Sequence, residues 1–212
     1  MARILITSGP TREAIDPVRF LSNASSGRMG AALARAALKA GHEVDVVTGP
    51  SEVPLPGASR IVRVVSALQM LEACRELYPN CDVLIGAAAV ADYRPAATME
   101  SKRRRDSDPW ILELVPNPDI LAELAAKASA SPSRTHVGFA LQTGVLETAL
   151  ARAREKLTRK HLDWIVLNWA DAIASDSGQF WLLQRGGREE NLGEISKDDL
   201  ATRLLERVTA TL

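Results

Sequence analysis

Residues able to bind a phosphate are concentrated in one unusually long segment between the first apolar run and the first helical pattern. This segment, residues 8–26, contains serines, an asparagine and the arginines Arg12 and Arg19, and Gly27 follows it. Connections from a strand to a helix usually have about 2–6 residues, and longer ones are more often functional. Hydroxyl groups, backbone amides and arginines beside a helix N-terminus favour a phosphate-binding loop. The simpler alternative is a solvated surface loop that ends in an ordinary serine cap.

This segment does not match the common nucleotide-binding or hydrolase motifs. Gly27 and Gly30 resemble the end of a G-x-G-x-x-G fingerprint, but they lie too far from the first strand. The second strand runs into residues 48–50, Thr-Gly-Pro, and lacks the acidic residue that binds a ribose hydroxyl in dinucleotide-binding proteins. The chain also contains no G-x-x-x-x-G-K-[ST] phosphate-binding loop. Ser25 is a weak candidate for a nucleophile, because no motif supports the histidines that would activate it, His42, His136 and His161.

Three further groups of residues could contact an anionic ligand. Residues 86–91 are almost all glycine or alanine, so that a ligand can approach the backbone closely, and Asp92 follows them. Residues 102–105 are a lysine and three arginines, which could form a mobile cationic flap. Lys156 and Lys160 are four residues apart and share a helix face. The alternatives are a turn-forming aspartate, a solvated charge patch and a pair of surface lysines.

Alternating apolar runs and helical patterns predict the framework that positions these residues. We predict strands over residues 4–7, 44–47, 61–65, 82–87, 110–115, 136–141 and 164–167. Helices are predicted over residues 27–40, 66–77 and 146–160, and two more begin near Asn117 and at Ser196. This alternation indicates an α/β fold, a Rossmann-like, doubly wound, mostly parallel sheet flanked by helices. A hairpin over residues 180–195 and a flap at about residues 95–110 extend it, and residues 1–212 are expected to form a single domain.

Composition excludes several classes of protein. The chain has 212 residues, with 26 Lys plus Arg against 26 Asp plus Glu, so it is not a strongly basic nucleic-acid binder. Aromatic residues make up 4%, too few for base-stacking platforms, and no apolar run reaches the ~18 residues of a membrane span. Cys74 and Cys81 have neither a redox nor a zinc spacing. We therefore expect a cytoplasmic protein that contacts neither nucleic acid nor membrane.

Six segments in the same order resemble the phosphopantothenate–cysteine ligase (phosphopantothenoylcysteine synthetase) family of coenzyme A biosynthesis. The resemblance covers nearly the whole chain and is carried by residues 11–20, 22–27, 88–94, 117–120, 137–140 and 159–163. In many bacteria this ligase is the carboxyl-terminal half of a bifunctional protein whose other half is a flavin-dependent decarboxylase. The resemblance implies that any decarboxylase partner of this chain is a separate protein.

The resemblance also implies an activity. Family members activate the carboxylate of 4′-phosphopantothenate with a nucleoside triphosphate, usually CTP in bacteria, to form an acyl-nucleotidylate and pyrophosphate. Cysteine then attacks the acyl carbon and releases CMP. Mg²⁺ is implied by the triphosphate, without any assigned metal ligand, and a homodimer is implied in which the flap or interface loops complete a neighbouring site.

Site residues follow from the resemblance by position. The catalytic residues would be Asn23, Arg19 and Lys102. The nucleotide would contact Gly9, Ala88, Asp92, Lys102, Asn117, Pro118, Asp119, Ile120, Phe139, Lys156 and Lys160. The substrate would contact Arg19, Asn23, Ser25, Ser26 and Gly27.

Some positions depart from the family pattern. Gln142 replaces the usual glutamate, the flap has arginines where lysines are expected, and Phe139 is about one helical turn further from Lys156 than usual. Two alternatives therefore stay open, an NAD(P)-linked Rossmann-type reductase and a non-catalytic nucleotide-binding relative of the ligase. The choice between CTP and ATP also stays open.

Overall fold

The computed structural model describes residues 1–51, 53–57, 60–105, 107–127, 134–169 and 175–210. Within these residues the elements in chain order are β1 (Arg3–Ser8), β2 (Arg12–Ala14), β3 (Phe20–Ser22), α1 (Arg28–Lys39), β4 (Glu43–Thr48), β5 (Arg60–Arg63), α2 (Ala67–Leu77), a 3₁₀ turn (Tyr78–Asn80), β6 (Val83–Gly86), β7 (Tyr93–Pro95), β8 (Leu114–Pro116), α3 (Ile120–Lys127), β9 (Thr135–Gln142), α4 (Leu146–Arg159), β10 (Trp164–Trp169), β11 (Ser177–Gln184), β12 (Glu189–Ser196) and α5 (Lys197–Thr209).

The predicted Rossmann-like α/β fold is confirmed. One eight-stranded sheet has the order β12-β11-β10-β9-β6-β1-β4-β5. Strand β11 runs antiparallel to both of its neighbours, β10 and β12, and the other adjacent strands pair in parallel. The chain leaves β1 toward β4 on one side and leaves β6 toward β9 on the other. A crevice therefore opens at the carboxyl ends of β1 and β6, where ligands bind in open α/β sheets.

Helices cover both faces of the sheet because its strands are apolar on both sides. Ile4 and Ile6 pack on one face with side chains of α1 and α5, such as Leu33 and Leu204. Leu5, between them, points to the opposite face and packs with α2 and α3. Helix α4 joins that second face against β9 and β10.

Local signals explain where the helices begin and end. Ser66 and Gln69 form a reciprocal capping box at the start of α2, and the Asp119 carboxylate accepts a hydrogen bond from Ala122 N (3.1 Å) at the start of α3. Ser196 caps α5 through Asp199 N, as the sequence predicts. None of the helices in the described ranges combines the length and hydrophobicity needed to cross a bilayer.

Two small hairpins are not predicted as such, although β8 overlaps the end of the strand predicted over residues 110–115, whose first four residues are not strand in the structure. Strands β2 and β3 pair within the segment that the sequence presents as a loop, and the turn between them is held by Asp16, which accepts hydrogen bonds from Val18 N and Arg19 N (2.9 Å each). Strands β7 and β8 pair around the flap, which spans residues 96–113 in the structure, with Asp106 outside the described residues. Strands of three residues are too short to show a period of two.

Candidate active site

A cavity of about 570 Å³ opens at the carboxyl ends of β1, β6, β9 and β10. Most of the site residues predicted from the sequence line it, although they come from well-separated parts of the chain. Those residues are Asn23, Ser25, Ser26, Gly27, Ala88, Asp92, Asn117, Pro118, Asp119, Ile120, Phe139, Lys156 and Lys160. The predicted residues that lie outside the cavity lining are Gly9, Arg19 and Lys102.

The alanine-rich segment after β6 forms the floor of the cavity. Residues 86–92 all line it. The segment is fixed to the first strand and its connection, since Ala89 N donates to Gly9 O (2.9 Å) and Ala88 N donates to Thr7 Oγ1 (3.3 Å). Gly9 therefore supports the floor through its backbone and lies outside the cavity lining, so its contact with the nucleotide stays a prediction.

Asn23 lies at the middle of the cavity, where β3 gives way to α1. Its side-chain amide donates to Val90 O (3.0 Å), and the residue is exposed to solvent. The hydrogen bond orients the side chain across the floor, and the remaining carbonyl oxygen of the amide can contact a ligand. Asn23 thus occupies the crevice between the two central strands.

Asp92 and Asn117 are tied together through the backbone at one end of the floor. Asn117 N donates to Asp92 O (2.8 Å), and its side-chain amide donates to Ala91 O (2.8 Å). Arg94 donates to the side-chain oxygen of Asn117 (3.1 Å) and fixes the orientation of the amide. The Asp92 carboxylate, on an exposed residue, is left facing the cavity, where it can accept hydrogen bonds from hydroxyl or amino groups.

Lys156, in α4, and Lys160, the residue that caps the end of α4, line the same end of the cavity. Lys156 Nζ donates to Phe139 O (2.6 Å), so the long spacing between these residues in the sequence does not separate them in the structure. Lys160 forms an ion pair with Asp119. Burial lowers the pKa of Lys156 to about 8, and the charge of Lys160 adds to the decrease, whereas Asp119 and Asp92 oppose it.

The Asp119 carboxylate is held ionised by these lysines. Burial alone raises its pKa, but the hydrogen bond from Lys160 and the backbone hydrogen bond from Ala122 outweigh burial, so the pKa lies below its ordinary value. This end of the cavity therefore holds two carboxylates and two ammonium groups, an arrangement suited to the polar edge of a base and to ribose hydroxyls.

Three polar residues at the other end of the cavity are not among those predicted from the sequence: Arg28, Asn168 and Lys197. Arg28 directly follows the predicted Gly27 and is the first residue of α1, so its position next to a candidate phosphate loop was a usable signal. Lys197 is the first residue of α5, far along the chain, and only the fold brings it to the site. It is 9% exposed, and its Nζ donates to Ser175 O (2.6 Å).

Arg19 and Lys102 line a second, open groove together with residues 103–105, Asp108 and Trp110. The indole of Trp110 lies between the guanidinium groups of Arg19 and Arg103, at 4.8 and 5.1 Å from the ring centroid, and Arg19 donates to Arg103 O (2.6 Å). These contacts hold the flap against the β2–β3 hairpin and away from the cavity. The expectation that Arg19 and Lys102 contact the same bound ligand as Asn23 is therefore not met within one chain in this conformation.

Two further positions singled out in the sequence, Arg12 and Gln142, lie outside the cavity lining. Arg12 does not line the cavity but stacks over Phe20, 4.5 Å from the ring centroid, so it does not belong to a phosphate cradle. Gln142 lies outside the cavity lining, whereas Leu141 and Phe139 are part of it, because alternate residues of β9 face opposite sides. The replacement of glutamate by Gln142 therefore leaves the lining of the cavity unaffected.

Comparison with known proteins gives a consistent result along the whole chain. The family model described as the DNA/pantothenate metabolism flavoprotein C-terminal domain matches residues 1–212. The coenzyme A biosynthesis bifunctional protein CoaBC of Vibrio cholerae is 41% identical over 212 residues, which cover 97% of this chain and 52% of that protein. The chain thus spans about half the length of the curated relatives it matches.

Solved structures agree with the sequence relatives. The crystal structure of the C-terminal domain of a CoaBC protein has a TM-score of 0.83 and 36% identity, and the similarity covers 99% of this chain and 94% of that one. The DNA/pantothenate metabolism flavoprotein from Streptococcus pneumoniae has a TM-score of 0.86 and 26% identity, with both chains covered completely. The overall fold of this chain is therefore that of these solved structures.

Proposed function

Since the chain belongs to the DNA/pantothenate metabolism flavoprotein C-terminal domain family, we propose that it is a phosphopantothenate–cysteine ligase of coenzyme A biosynthesis. One observation carries the proposal. Residues from several separated motifs that the ligase resemblance selects line a single cavity at the carboxyl edge of the sheet. A protein that kept the fold for another purpose would have no need to bring these side chains to one place.

The proposed reaction has two steps. A carboxylate oxygen of 4′-phosphopantothenate attacks the α-phosphorus of CTP, an oxygen–phosphorus bond forms, and pyrophosphate leaves with the electrons of the broken bond. The amine of cysteine then attacks the acyl carbon, an amide bond forms, and CMP leaves with the former carboxylate oxygen. Because a free carboxylate is a poor electrophile, the first step supplies the leaving group that the second step needs.

The residues of the cavity would divide these tasks. The nucleoside would be held by Asn117, Pro118, Asp119, Ile120, Phe139, Lys156 and Lys160. Asp92 would accept hydrogen bonds from its hydroxyl or amino groups. Asn23, at the crevice, would contact the acyl-nucleotidylate, and residues 25–27 would contact the pantothenate side of the substrate. Such positioning can contribute much of the rate enhancement, since it makes a reaction between bound groups effectively unimolecular.

We propose that Mg²⁺ enters as the CTP complex. Among the side chains that the structure describes, no three His, Cys, Asp or Glu residues lie close enough together to hold a metal ion. Mg²⁺ at nucleotide sites takes most of its ligands from phosphates and water, so the cavity is compatible with a cation carried by the substrate. The ion would neutralise phosphate charge, and we assign no side chain of this protein as its ligand.

We also propose a homodimer, in which the groove of Arg19 and Lys102 serves the cavity of the partner subunit. Apolar side chains on the two small hairpins and the flap are exposed, including Phe20 (47%), Tyr93 (55%) and Ile111 (89%). A surface of this kind is typical of protein interfaces.

The test is to incubate the purified protein with 4′-phosphopantothenate, cysteine, Mg²⁺ and either CTP or ATP, and to follow pyrophosphate and the amide product by mass spectrometry. The proposal predicts that pyrophosphate appears only when the nucleotide and phosphopantothenate are both present. The absence of pyrophosphate with either nucleotide would overturn it. Tight nucleotide binding without turnover would instead support the non-catalytic alternative, and hydride transfer from NAD(P)H would support the reductase.

A further inference from the structure

Thr11 supports the floor of the cavity without lining it. The residue is fully buried (0% exposed) and follows Pro10, which bridges to Ala89 of the floor. Its backbone N donates to Ala89 O (3.3 Å), and its hydroxyl oxygen accepts a hydrogen bond from Ala91 N (3.0 Å). A valine would fill the same space without the cost of burying a hydroxyl group, so packing alone does not require a threonine at this position.

The hydrogen bond from Ala91 N fixes one peptide group of the floor. That peptide group joins Val90 and Ala91, and its carbonyl oxygen, Val90 O, accepts the hydrogen bond from the side-chain amide of Asn23 (3.0 Å). Because a trans peptide group is planar and its N–H and C=O point in opposite directions, the direction of one determines the direction of the other. Thr11 and Asn23 therefore hold opposite sides of a single rigid unit.

A second link joins Thr11 to Asn23 along the first hairpin. Ser22, the last residue of β3, directly precedes Asn23, and its hydroxyl donates to Thr11 O (2.7 Å). The pairing of β3 with β2 ends at Ser22, which lies opposite Arg12. The chain thus leaves the hairpin toward Asn23 from a point that Thr11 also holds.

From these contacts we infer that Thr11 is a positioning residue for Asn23. The Thr11 hydroxyl orients the peptide group between Val90 and Ala91, and the carbonyl of that peptide group orients the Asn23 amide in the crevice. This role rests on the proposed function for the task of Asn23, which is to contact the acyl-nucleotidylate while cysteine attacks it. Because Thr11 is buried and does not line the cavity, its effect on the reaction passes through Asn23.

The test is a double-mutant cycle of Thr11→Val and Asn23→Ala, with amide formation measured by rapid quench in a single turnover. Valine has nearly the shape of threonine but cannot accept the hydrogen bond from Ala91 N. We expect Thr11→Val to slow amide formation roughly tenfold, as for the loss of one buried hydrogen bond. When residue 23 is already alanine, the same change should slow it by less than about twofold, because two residues that act through one contact are not additive.

Two further variants show whether the hydroxyl is responsible. Thr11→Ser keeps the hydroxyl and should bring the rate back to within about threefold of the wild type. Thr135→Val is the matched control, since Thr135 is also buried (8% exposed) but begins β9, at the end of the strand away from the cavity, and it should not change the rate.

Equal losses in the wild-type and Asn23→Ala backgrounds would overturn the inference, because Thr11 would then act independently of Asn23. A Thr11→Val protein as fast as the wild type would also overturn it. If Thr11→Val does not fold, Ser22→Ala takes its place in the cycle, because Ser22 is exposed and its hydroxyl forms the second link. The same two outcomes would then decide.

A measurement without turnover separates this inference from the proposed function. In ¹H–¹⁵N NMR spectra, the side-chain amide signals of Asn23 are identified by their absence in Asn23→Ala. Thr11→Val should shift these signals, and Thr135→Val should leave them in place. Shifted signals in a protein that makes no product would support the positioning of Asn23 and remove the ligase assignment. Unshifted signals in a protein that makes the product would overturn the inference and leave the ligase assignment standing.

Discussion

Lys156 is an ionisable residue of the cavity whose charge changes near neutral pH. Its pKa, lowered to about 8 chiefly by burial, means that it is protonated at pH 7 and loses its charge as the pH rises. If the ammonium group binds the nucleotide, the dissociation constant for CTP should increase above pH 8 by up to about tenfold per pH unit. This can be measured by calorimetry between pH 7 and about pH 9.5.

Lys156→Arg should remove this pH dependence, because a guanidinium stays protonated throughout the range. Lys39→Arg, at an exposed position of α1, is the control and should retain it. A flat pH profile in the wild type would show that the charge of Lys156 does not contribute to nucleotide binding.

Asn23 permits a test of the two half-reactions separately. Its side chain is positioned over the crevice by the hydrogen bond to Val90 O, where the acyl-nucleotidylate would lie. Asn23→Ala should reduce formation of the amide product more than formation of pyrophosphate, because the proposed contact assists the attack by cysteine. Rapid-quench measurement of pyrophosphate and product in a single turnover distinguishes the steps, and an equal loss of both would remove the assigned role.

At the residue scale, local motifs predicted one side of the cavity better than the other. Asp92 and Asn117 lie in short sequence motifs that follow β6 and β8, and Phe139 lies in such a motif within β9. Lys197 has no such motif, because its place depends on how α5 packs against α1. The groove position of Arg19 depends on Trp110, and a contact between side chains so far apart in the chain leaves no local signal.

At the scale of elements, the close approach of α1 to β1 fixes the α1 end of the cavity. A Cβ added at Gly30 would lie 2.1 Å from Ser8 Oγ and 2.4 Å from Ser8 Cβ. Gly30→Ala should therefore destabilise the protein by about 1–3 kcal/mol through overpacking, which exceeds the gain of less than about 1 kcal/mol in helix propensity. Urea unfolding measures the difference.

Gly57→Ala is the control for that experiment, since a Cβ there meets no atom within 4 Å and its backbone has no positive φ. The displacement of α1 in Gly30→Ala should also loosen CTP binding, because Arg28 and Met29, at the start of the same helix, line the cavity. A Gly30→Ala protein as stable as Gly57→Ala would contradict the packing derived for this helix.

The main helices and strands could be predicted because each carries its own signal, such as the Ser66 capping box before α2 or Gly41 after α1. The hairpins β2–β3 and β7–β8 could not be predicted in this way. Their strands have three residues each, and they are stabilised by distant contacts such as the hydrogen bond from Ala67 N to the buried Glu13 carboxylate (2.9 Å). Short elements held by tertiary contacts escape any analysis of periodicity.

At the scale of the whole molecule, the separation of the Arg19–Lys102 groove from the cavity leads to a prediction about assembly. Light scattering should give the mass of a homodimer. A heterodimer of Asn23→Ala and Lys102→Gln subunits, isolated with two different affinity tags, should contain one intact site and recover about half of the wild-type activity. Both parent homodimers should be nearly inactive.

The heterodimer would regain activity because its two subunits complement each other at one of the two sites. If the flap of one subunit serves the cavity of its partner, one site in the heterodimer combines an intact Asn23 with an intact Lys102. A heterodimer as inactive as its parents would show that the flap closes over the cavity of its own chain. A monomeric mass would contradict the proposed assembly itself.

The central claim is that a carboxylate is activated by transfer of a nucleotidyl group, and an isotope experiment tests it most directly. 4′-Phosphopantothenate labelled with ¹⁸O in its carboxylate is incubated with the protein, cysteine, Mg²⁺ and CTP, and the products are analysed by mass spectrometry. The account predicts that one labelled oxygen appears in CMP and that the pyrophosphate is unlabelled. Label in inorganic phosphate together with CDP, or nucleotide cleavage without transfer of label, would contradict it.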